Sequence, residues 1–331
     1  MKKAIRILAT GFIALIYAGG ALAQEVRVGY WASGSSAAIG LVIQEGKFLE
    51  AEGLKPKWTT TTQLAELNRA LISKSIDIVL SGGTVPSLRL GVEKVPAKII
   101  LANLVADANF VVPKNSPIKS VADLKNKKVG STPPGSTMYA LVGAILGDGY
   151  GMTKDEIKQI PSGEAQLLTF LQRGEIDAAV IRTITLRTLG AQADLRILST
   201  VPDEWKKLIG VDAPPILGLT VVDQGFAEQH MDLTIKYLIA HIKATQWGAK
   251  NPEKVAQILE RGLQMNASDA EALAATWSRT YIATFDEADI TSLQRMAKVF
   301  AASGNFSGDV EQSAFMTEPY QKAKASIAAS K

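Results

Sequence analysis

Apolar positions along this chain switch between two periods several times. Short runs such as EVRVGY (residues 25–30) and KPKWTTT (55–61) read as strands, and between them AAIGLVIQEGKFLEAEGL (37–54) is apolar at helical spacing. A second helical stretch, TQLAELNRALISKS (62–75), carries Leu64, Leu67, Leu71 and Ile72 at that spacing and leads into KSIDIVL (74–80). The unit is strand, loop, helix, strand, loop, helix, strand, over residues 26–83.

The same order recurs one hundred residues later. NKKVGST (126–132) matches the first strand, with Gly130 where the first copy has Gly29, and MYALVGAILGDGYGM (138–152) matches the first helix. IKQIPSG (157–163) supplies the next strand and loop, and GEAQLLTFLQRGE (163–175) places Leu167, Leu168 and Leu171 in the helical positions. GEIDAAVI (174–181) then repeats the Ile-Asp phrase, Asp177 standing for Asp77. Strands alternating with helices make a parallel sheet covered on both faces, and two copies make two lobes.

The rest of the chain fits around these copies. AKIILANLVAD (97–107), NFVVPKNS (109–116) and ILGLTVVDQ (216–224) are strand-like, and residues 226–331 read as successive helices, interrupted at Asn251-Pro252. A chain that leaves one lobe, builds another and returns needs two crossing strands, for which Asn109–Val112 and Leu217–Val222 are the candidates. The lobes are expected over 24–110 plus 220–331 and over 111–219, with a hinge that lets them close on something between them.

Residues 1–23 are of another kind. Lys2, Lys3 and Arg6 precede an apolar stretch from Ile7 to Ala18, and Ala21-Leu22-Ala23 offers small residues for cleavage before Gln24, the layout of a secretory signal peptide. This start holds three of the 36 basic residues, so the remainder sets 33 against 32 acidic ones, and no basic footprint for nucleic acid is expected. The sequence has no cysteine, which excludes disulfides, thiolate metal sites, a cysteine nucleophile and a lipidated cysteine. An exported protein free in the periplasm is the expectation.

Ligands of open parallel sheets sit beyond the carboxyl ends of the strands. Here those ends are loops rich in serine, threonine and glycine. The candidate ligand-binding residues are Tyr30, Trp31, Ser35, Ser36, Ser81, Gly82, Gly83 and Thr84 in the first copy. In the second they are Thr132, Gly135, Ser136, Thr137, Arg182 and Thr183. Glycine lets backbone approach closely, and helix starts with unpaired N–H groups favour anions. Hydroxyls in such loops serve equally as N-caps. Arg182, at the end of the second Ile-Asp strand, presents a planar fork that can hold a carboxylate or sulfonate with two bonds, or can form an interlobe ion pair. Tyr30 and Trp31 are adjacent in a strand and point to opposite faces, so only one is expected in a cleft.

The run TQLAELNRALISKSIDIVLSGG (62–83) resembles the first-lobe cleft segment of the solute-binding proteins of nitrate, sulfonate, taurine and bicarbonate importers. VPKNSPIKSVADLKNKKVGSTPPGST (112–137) is similar to the lobe-crossing stretch of that family. FLQRGEIDAAVI (170–181) and ATQWGAKNPEKVAQIL (244–259) continue the match in order, with a weaker echo in TSLQRMAKVFAASG (291–304). The resemblance implies an α/β, periplasmic-binding-protein-like fold of type II, with two parallel-sheet lobes joined by two crossing strands. It further implies delivery of a small solute to an inner-membrane ABC permease, by a monomer without cofactor or metal. Arg182-Thr183-Ile184-Thr185 departs from the aromatic or acidic pattern that alkanesulfonate binders often carry there. The cysteine-rich motif of thiamine-precursor synthases sharing the fold is absent.

Catalytic groups are not evident. His230 and His241 lie on one C-terminal helical stretch without a third metal ligand, and no Gly-x-Ser-x-Gly elbow is present. GDGYG (147–151) follows a helix where a dinucleotide loop must follow a strand, and STPPGST lacks a phosphate-loop lysine. An importer's binding protein is the leading expectation. An exported ligand-sensing subunit and a pyrimidine-precursor-synthase-type enzyme are the alternatives.

Overall fold

The computed structural model describes residues 24–32, 34–62, 64–188, 194–210 and 213–330, so the expected signal peptide lies outside the described residues. The first copy comprises β1 (Gln24–Trp31), α1 (Gly34–Glu45), α2 (Phe48–Ala51), β2 (Leu54–Thr61), α3 (Leu64–Ile72) and β3 (Ile78–Gly83). Then come α4 (Thr84–Val92), β4 (Ala97–Val105) and β5 (Ala108–Pro113). The second copy comprises β6 (Lys128–Ser131), α5 (Thr137–Ala144), β7 (Lys158–Pro161), α6 (Glu164–Gln172) and β8 (Ala178–Arg182). It is followed by α7 (Thr183–Thr188), β9 (Leu195–Thr200), α8 (Val201–Ile209) and β10 (Ile216–Asp223). The chain ends with α9 (Gln224–Gln229), α10 (Met231–Lys250), α11 (Pro252–Leu263), α12 (Ala267–Ala274), α13 (Trp277–Thr280), β11 (Tyr281–Thr284), α14 (Glu287–Ala302) and α15 (Glu318–Ala329).

The repeat is real, and its two signature residues have the same physical cause in both copies. β2, β1 and β3 lie side by side and parallel, as do β7, β6 and β8. Asp77 accepts the Arg27 amide at 2.8 Å while its own amide donates to the Arg27 carbonyl at 2.8 Å. Asp177 accepts the Lys128 amide at 2.8 Å and donates to the Lys128 carbonyl at 2.9 Å. Each aspartate therefore fastens the start of its strand to the neighbouring one, satisfying groups that the ladder alone leaves open. The two glycines are matched as closely. A Cβ on Gly29 would lie 2.6 Å from Ile76 and 3.0 Å from Leu67, and one on Gly130 would lie 2.7 Å from both Ile176 and Leu167. In each copy the isoleucine and leucine side chains lie directly on the strand backbone, in the space a Cβ would need.

Both sheets are mixed rather than wholly parallel. The first runs β11-β4-β10-β3-β1-β2, with β10 antiparallel to both β3 and β4, and the second runs β7-β6-β8-β5-β9, with β5 antiparallel to β8 and β9. The reason is the route: β5 and β10 arrive from the side where the parallel strands end, so they run backwards through the sheet they join. The two runs offered as crossing strands are sheet members along their length. Asn109 pairs with Ile181 and Thr200, and Leu219 pairs with Gly82 and Ala102. The chain changes sheet at Ala106-Asp107 and again ahead of Ile216, and the Ala106 amide donates to the Pro215 carbonyl at 2.9 Å where the passages meet. The helical end of the chain also contributes β11, which borders β4 and was not expected.

One apolar core runs through both lobes. Its members include Val28, Ile78 and Leu101 of the first lobe and Phe110, Leu141 and Trp205 of the second. Trp205 of α8 packs beside Phe300 of α14, ring centroids 6.3 Å apart, so the returning helices cover the second lobe as well as the first. A smaller cluster, with Leu167, Leu171 and Ile176, fills the other face of the second sheet.

Candidate functional site

The carboxyl ends of both parallel sets open into one cleft of about 1190 Å³ between the lobes. The first lobe contributes Trp31, Gly34, Ser36 and Ser81–Gly83. The second contributes Thr132–Met138, Gly163–Ala165 and Arg182. Ile72, Pro86, Leu90, Leu217 and Leu263 line it further, so its walls are mostly apolar. Helices α1, α4, α5 and α6 all begin at this cleft.

Ten of the residues singled out from sequence line it: Trp31, Ser36, Ser81, Gly82, Gly83, Thr132, Gly135, Ser136, Thr137 and Arg182. Four sit elsewhere. Tyr30 is buried on the opposite face of β1, edge-on to Trp58 at 5.8 Å, with its hydroxyl on Gln44. Ser35 faces a separate void of about 10 Å³, and its carbonyl accepts from Tyr281. Thr84 is wholly buried and its hydroxyl donates to the Ile216 carbonyl at 2.7 Å. Thr183 donates to Asp107 at 2.9 Å and accepts from Asn109 at 3.0 Å, beside the passage between sheets.

The hydroxyls that do face the cleft are largely committed already. Ser36 donates to the Ser81 carbonyl, Ser81 to Asn103, and Ser136 to the Pro133 carbonyl. Thr132 and Ser136 share a bond of 2.6 Å, and Thr185 donates to Glu164. Thr137 differs. Its oxygen accepts the Val85 amide of the opposite lobe at 3.0 Å, and no acceptor for its own hydroxyl proton stands among these bonds. The serines and threonines of these loops are therefore mainly scaffold, shaping the loops and capping helices.

Arg182 is the charged group at the centre of this arrangement. Its Nε donates to Glu164 Oε1 at 2.7 Å, and the pair is nearly buried, with side chains 13% and 4% exposed. Glu164 accepts from Thr185 through its other oxygen. The guanidinium then reaches across to the first lobe and lies over the Trp31 ring, 5.0 Å from its centroid. It also packs on Gly34, where φ is +61° and any Cβ would collide with the guanidinium. Bond geometry leaves the Nη groups as the donors of Arg182 not directed at Glu164. Sequence reasoning missed Glu164 because an acidic residue in a helix's first turn is ordinary. It also missed the end of α11, where Gly262, Leu263 and Gln264 reach the cleft from far along the chain.

Comparison with known proteins places this architecture. Residues 49–211 match the family model of ABC transporter, phosphonate, periplasmic substrate-binding proteins. The fold is that of the ABC-importer substrate-binding proteins. Among solved structures, the periplasmic aliphatic sulphonate binding protein SsuA of Escherichia coli is similar, with a TM-score of 0.73 and 20% identity over 87% of this chain and 90% of that one. The alkanesulfonate-binding protein SsuA from Xanthomonas axonopodis pv. citri, bound to MOPS, gives 0.72 and 17% over 89% and 98%. The desulfurization enzyme DSZB shares the fold as well, at 0.68 and 14% over 92% and 99%. No curated protein sequence matches the chain. The resemblance to importer binding proteins read from the sequence is thus borne out, while these identities speak for the substrate-binding fold and not for a ligand.

Proposed function

We propose that this protein captures an organic anion with a sizeable apolar body and hands it to an inner-membrane ABC permease from the periplasm, acting as a monomer. The observation that carries the reading is the cleft: about 1190 Å³, mostly apolar, with one guanidinium from the second lobe lying over Trp31 of the first. A nitrate or bicarbonate ion is only a few times the share of a water molecule, about 30 Å³, and would leave most of this space empty. The anionic head belongs at the Nη groups of Arg182, the Thr137 hydroxyl and the start of α6, whose N-cap Gly163 brings no side chain to its amides. The tail belongs against Trp31, Pro133, Pro134 and Leu217. The sulfonate named for the similar SsuA proteins and the phosphonate of the family model are both heads of this kind.

Binding rather than catalysis is favoured by what faces the cleft. His241 is wholly buried within α10 and His230 stands at that helix's start, and neither lines the cleft. Thermal-shift screening of the mature chain against sulfonates, phosphonates, carboxylates, nitrate and bicarbonate tests the reading. A ligand at about 100 times its Kd adds ~2.7 kcal/mol of apparent stability, a shift of roughly 5–10 °C for a chain of this size. Tailed organic anions should produce it and nitrate should not. A screen in which nitrate stabilises and no tailed anion does would overturn the assignment.

A further inference from the structure

Arg182 enters the cleft with its charge already matched. Glu164 holds its Nε at 2.7 Å, and Glu164 is itself held by Thr185 and shielded from water. A second carboxylate, Asp107, stands near the same region: the Tyr281 phenol, pushed up mainly by burial, is pushed further by Asp107 and pulled back by Arg182. The other charged residues lining the cleft are Arg69, Arg89 and Glu93. Arg69 and Glu93 are solvent-exposed, and Arg89 is engaged with the Asn305 carbonyl at 2.6 Å. The charge of the Arg182 guanidinium is therefore already matched by the Glu164 carboxylate before any ligand arrives.

We propose that Glu164 sets the ligand's charge: by neutralising Arg182 it makes the cleft select a singly charged head, such as a sulfonate or carboxylate, over a doubly charged phosphonate. The inference rests on the reading of the cleft as an organic-anion site and decides between the two head groups that reading leaves open. A single negative charge is met by the Nη groups, the Thr137 hydroxyl and the helix start. A second charge must be stripped of water in an apolar cleft whose other cations, Arg69 and Arg89, are solvent-exposed or already engaged with the Asn305 carbonyl, and it faces the Glu164 carboxylate across the same guanidinium. Glu164 thus acts through Arg182 as a specificity-determining residue and need not touch the ligand.

The test uses a chain-matched pair of probes, butane-1-sulfonate and butylphosphonate, titrated calorimetrically at about pH 6 and about pH 9. A sulfonate keeps one charge throughout, whereas the second ionisation of a phosphonate falls near neutrality, so the two conditions compare its singly and doubly charged forms. Sulfonate affinity should hold within about twofold, and phosphonate affinity should fall at least about tenfold on going to high pH. Glu164→Gln keeps an oxygen for the Arg182 Nε but removes the charge, and it should shrink the phosphonate's loss to within about threefold. Phosphonate bound equally well or better at high pH by the parent protein overturns the proposal, and that arm stands even if the variant fails to fold. A folded variant with an unchanged ratio overturns it too. If neither probe binds under either condition, the organic-anion reading itself has failed.

Discussion

Removing the Arg182 side chain exposes how far the cleft depends on one ion pair. In Arg182→Leu the Glu164 carboxylate keeps the Thr185 hydroxyl but loses the cation 2.7 Å away, in a setting where its side chain is only 4% exposed. Breaking a buried pair by deleting one partner typically costs about 3–5 kcal/mol, because the surviving charge stays desolvated. For a chain of this length each kcal/mol moves Tm by about 2–4 °C, so a fall of roughly 10 °C is expected. Replacing both members, Arg182→Leu with Glu164→Leu, removes the stranded charge and should return the protein to within about 1–2 kcal/mol of the parent. Denaturant unfolding of the parent, both single variants and the double variant completes the cycle. The double variant also separates structure from function, since it should be stable yet bind the best organic anion at least about tenfold more weakly. Arg182→Leu unfolding within about 1 kcal/mol of the parent would refute the argument, since Glu164 would then have found solvent or another partner.

The remaining expectations concern the scaffold. Gly130→Ala places a methyl 2.7 Å from Ile176 and Leu167, so it should cost about 1–3 kcal/mol in denaturant unfolding, and Gly29→Ala should do the same in the first lobe. Asp77→Ala should destabilise more than Asp177→Ala, since Asp77 pairs with the Arg27 guanidinium as well as its amide, whereas Asp177 bonds the Lys128 amide; a reversed order in Tm would contradict this. Burial lowers the pKa of His241 to about 3, below its ordinary value, so the unfolded chain takes up a proton there first as pH falls. That stabilisation is complete above about pH 6.5 and is lost progressively towards pH 3. Between pH 7 and 4.5 His241→Leu should therefore lose about 2–3 kcal/mol less stability than the parent, a difference that denaturation midpoints at the two pH values reveal.

The two-lobe plan was legible because its constraints are local and repeated. Glycine where a helix crosses a strand, aspartate where a strand must be fastened, and leucines at helical spacing each leave a mark within a few residues. Strand direction leaves no such mark: the apolar pattern of residues 216–224 identifies β10 as a strand, yet nothing in it says that it runs backwards between β3 and β4. Alternation likewise separates Tyr30 from Trp31 without telling which one faces the cleft. The hydroxyls misled in a different way. Thr84 and Thr183 open helices α4 and α7 beside residues that line the cleft, but their oxygens are drawn into bonds with Ile216 and Asp107, partners that only the folded chain brings near. Glu164 was hidden for the same reason, because its meaning comes from Arg182, eighteen residues away and in another element.

The position of β10 also dictates an order of assembly. It is an interior strand of the first sheet, third of six, hydrogen-bonded to β3 on one side and β4 on the other, and Thr220 on it donates to the carbonyl of Leu80, 140 residues earlier. Until residue 223 has been synthesised, β3 and β4 each present an open edge and cannot close on one another. The second lobe has no such dependence, since β5 through β9 form an uninterrupted stretch of chain. The segment inserted between the halves can therefore organise first, while the N-terminal half waits with its central seam unzipped. Loop closure over such separations makes the last step slow, and a C-terminally truncated chain ending before Ile216 leaves two exposed strand edges ready to pair with other molecules.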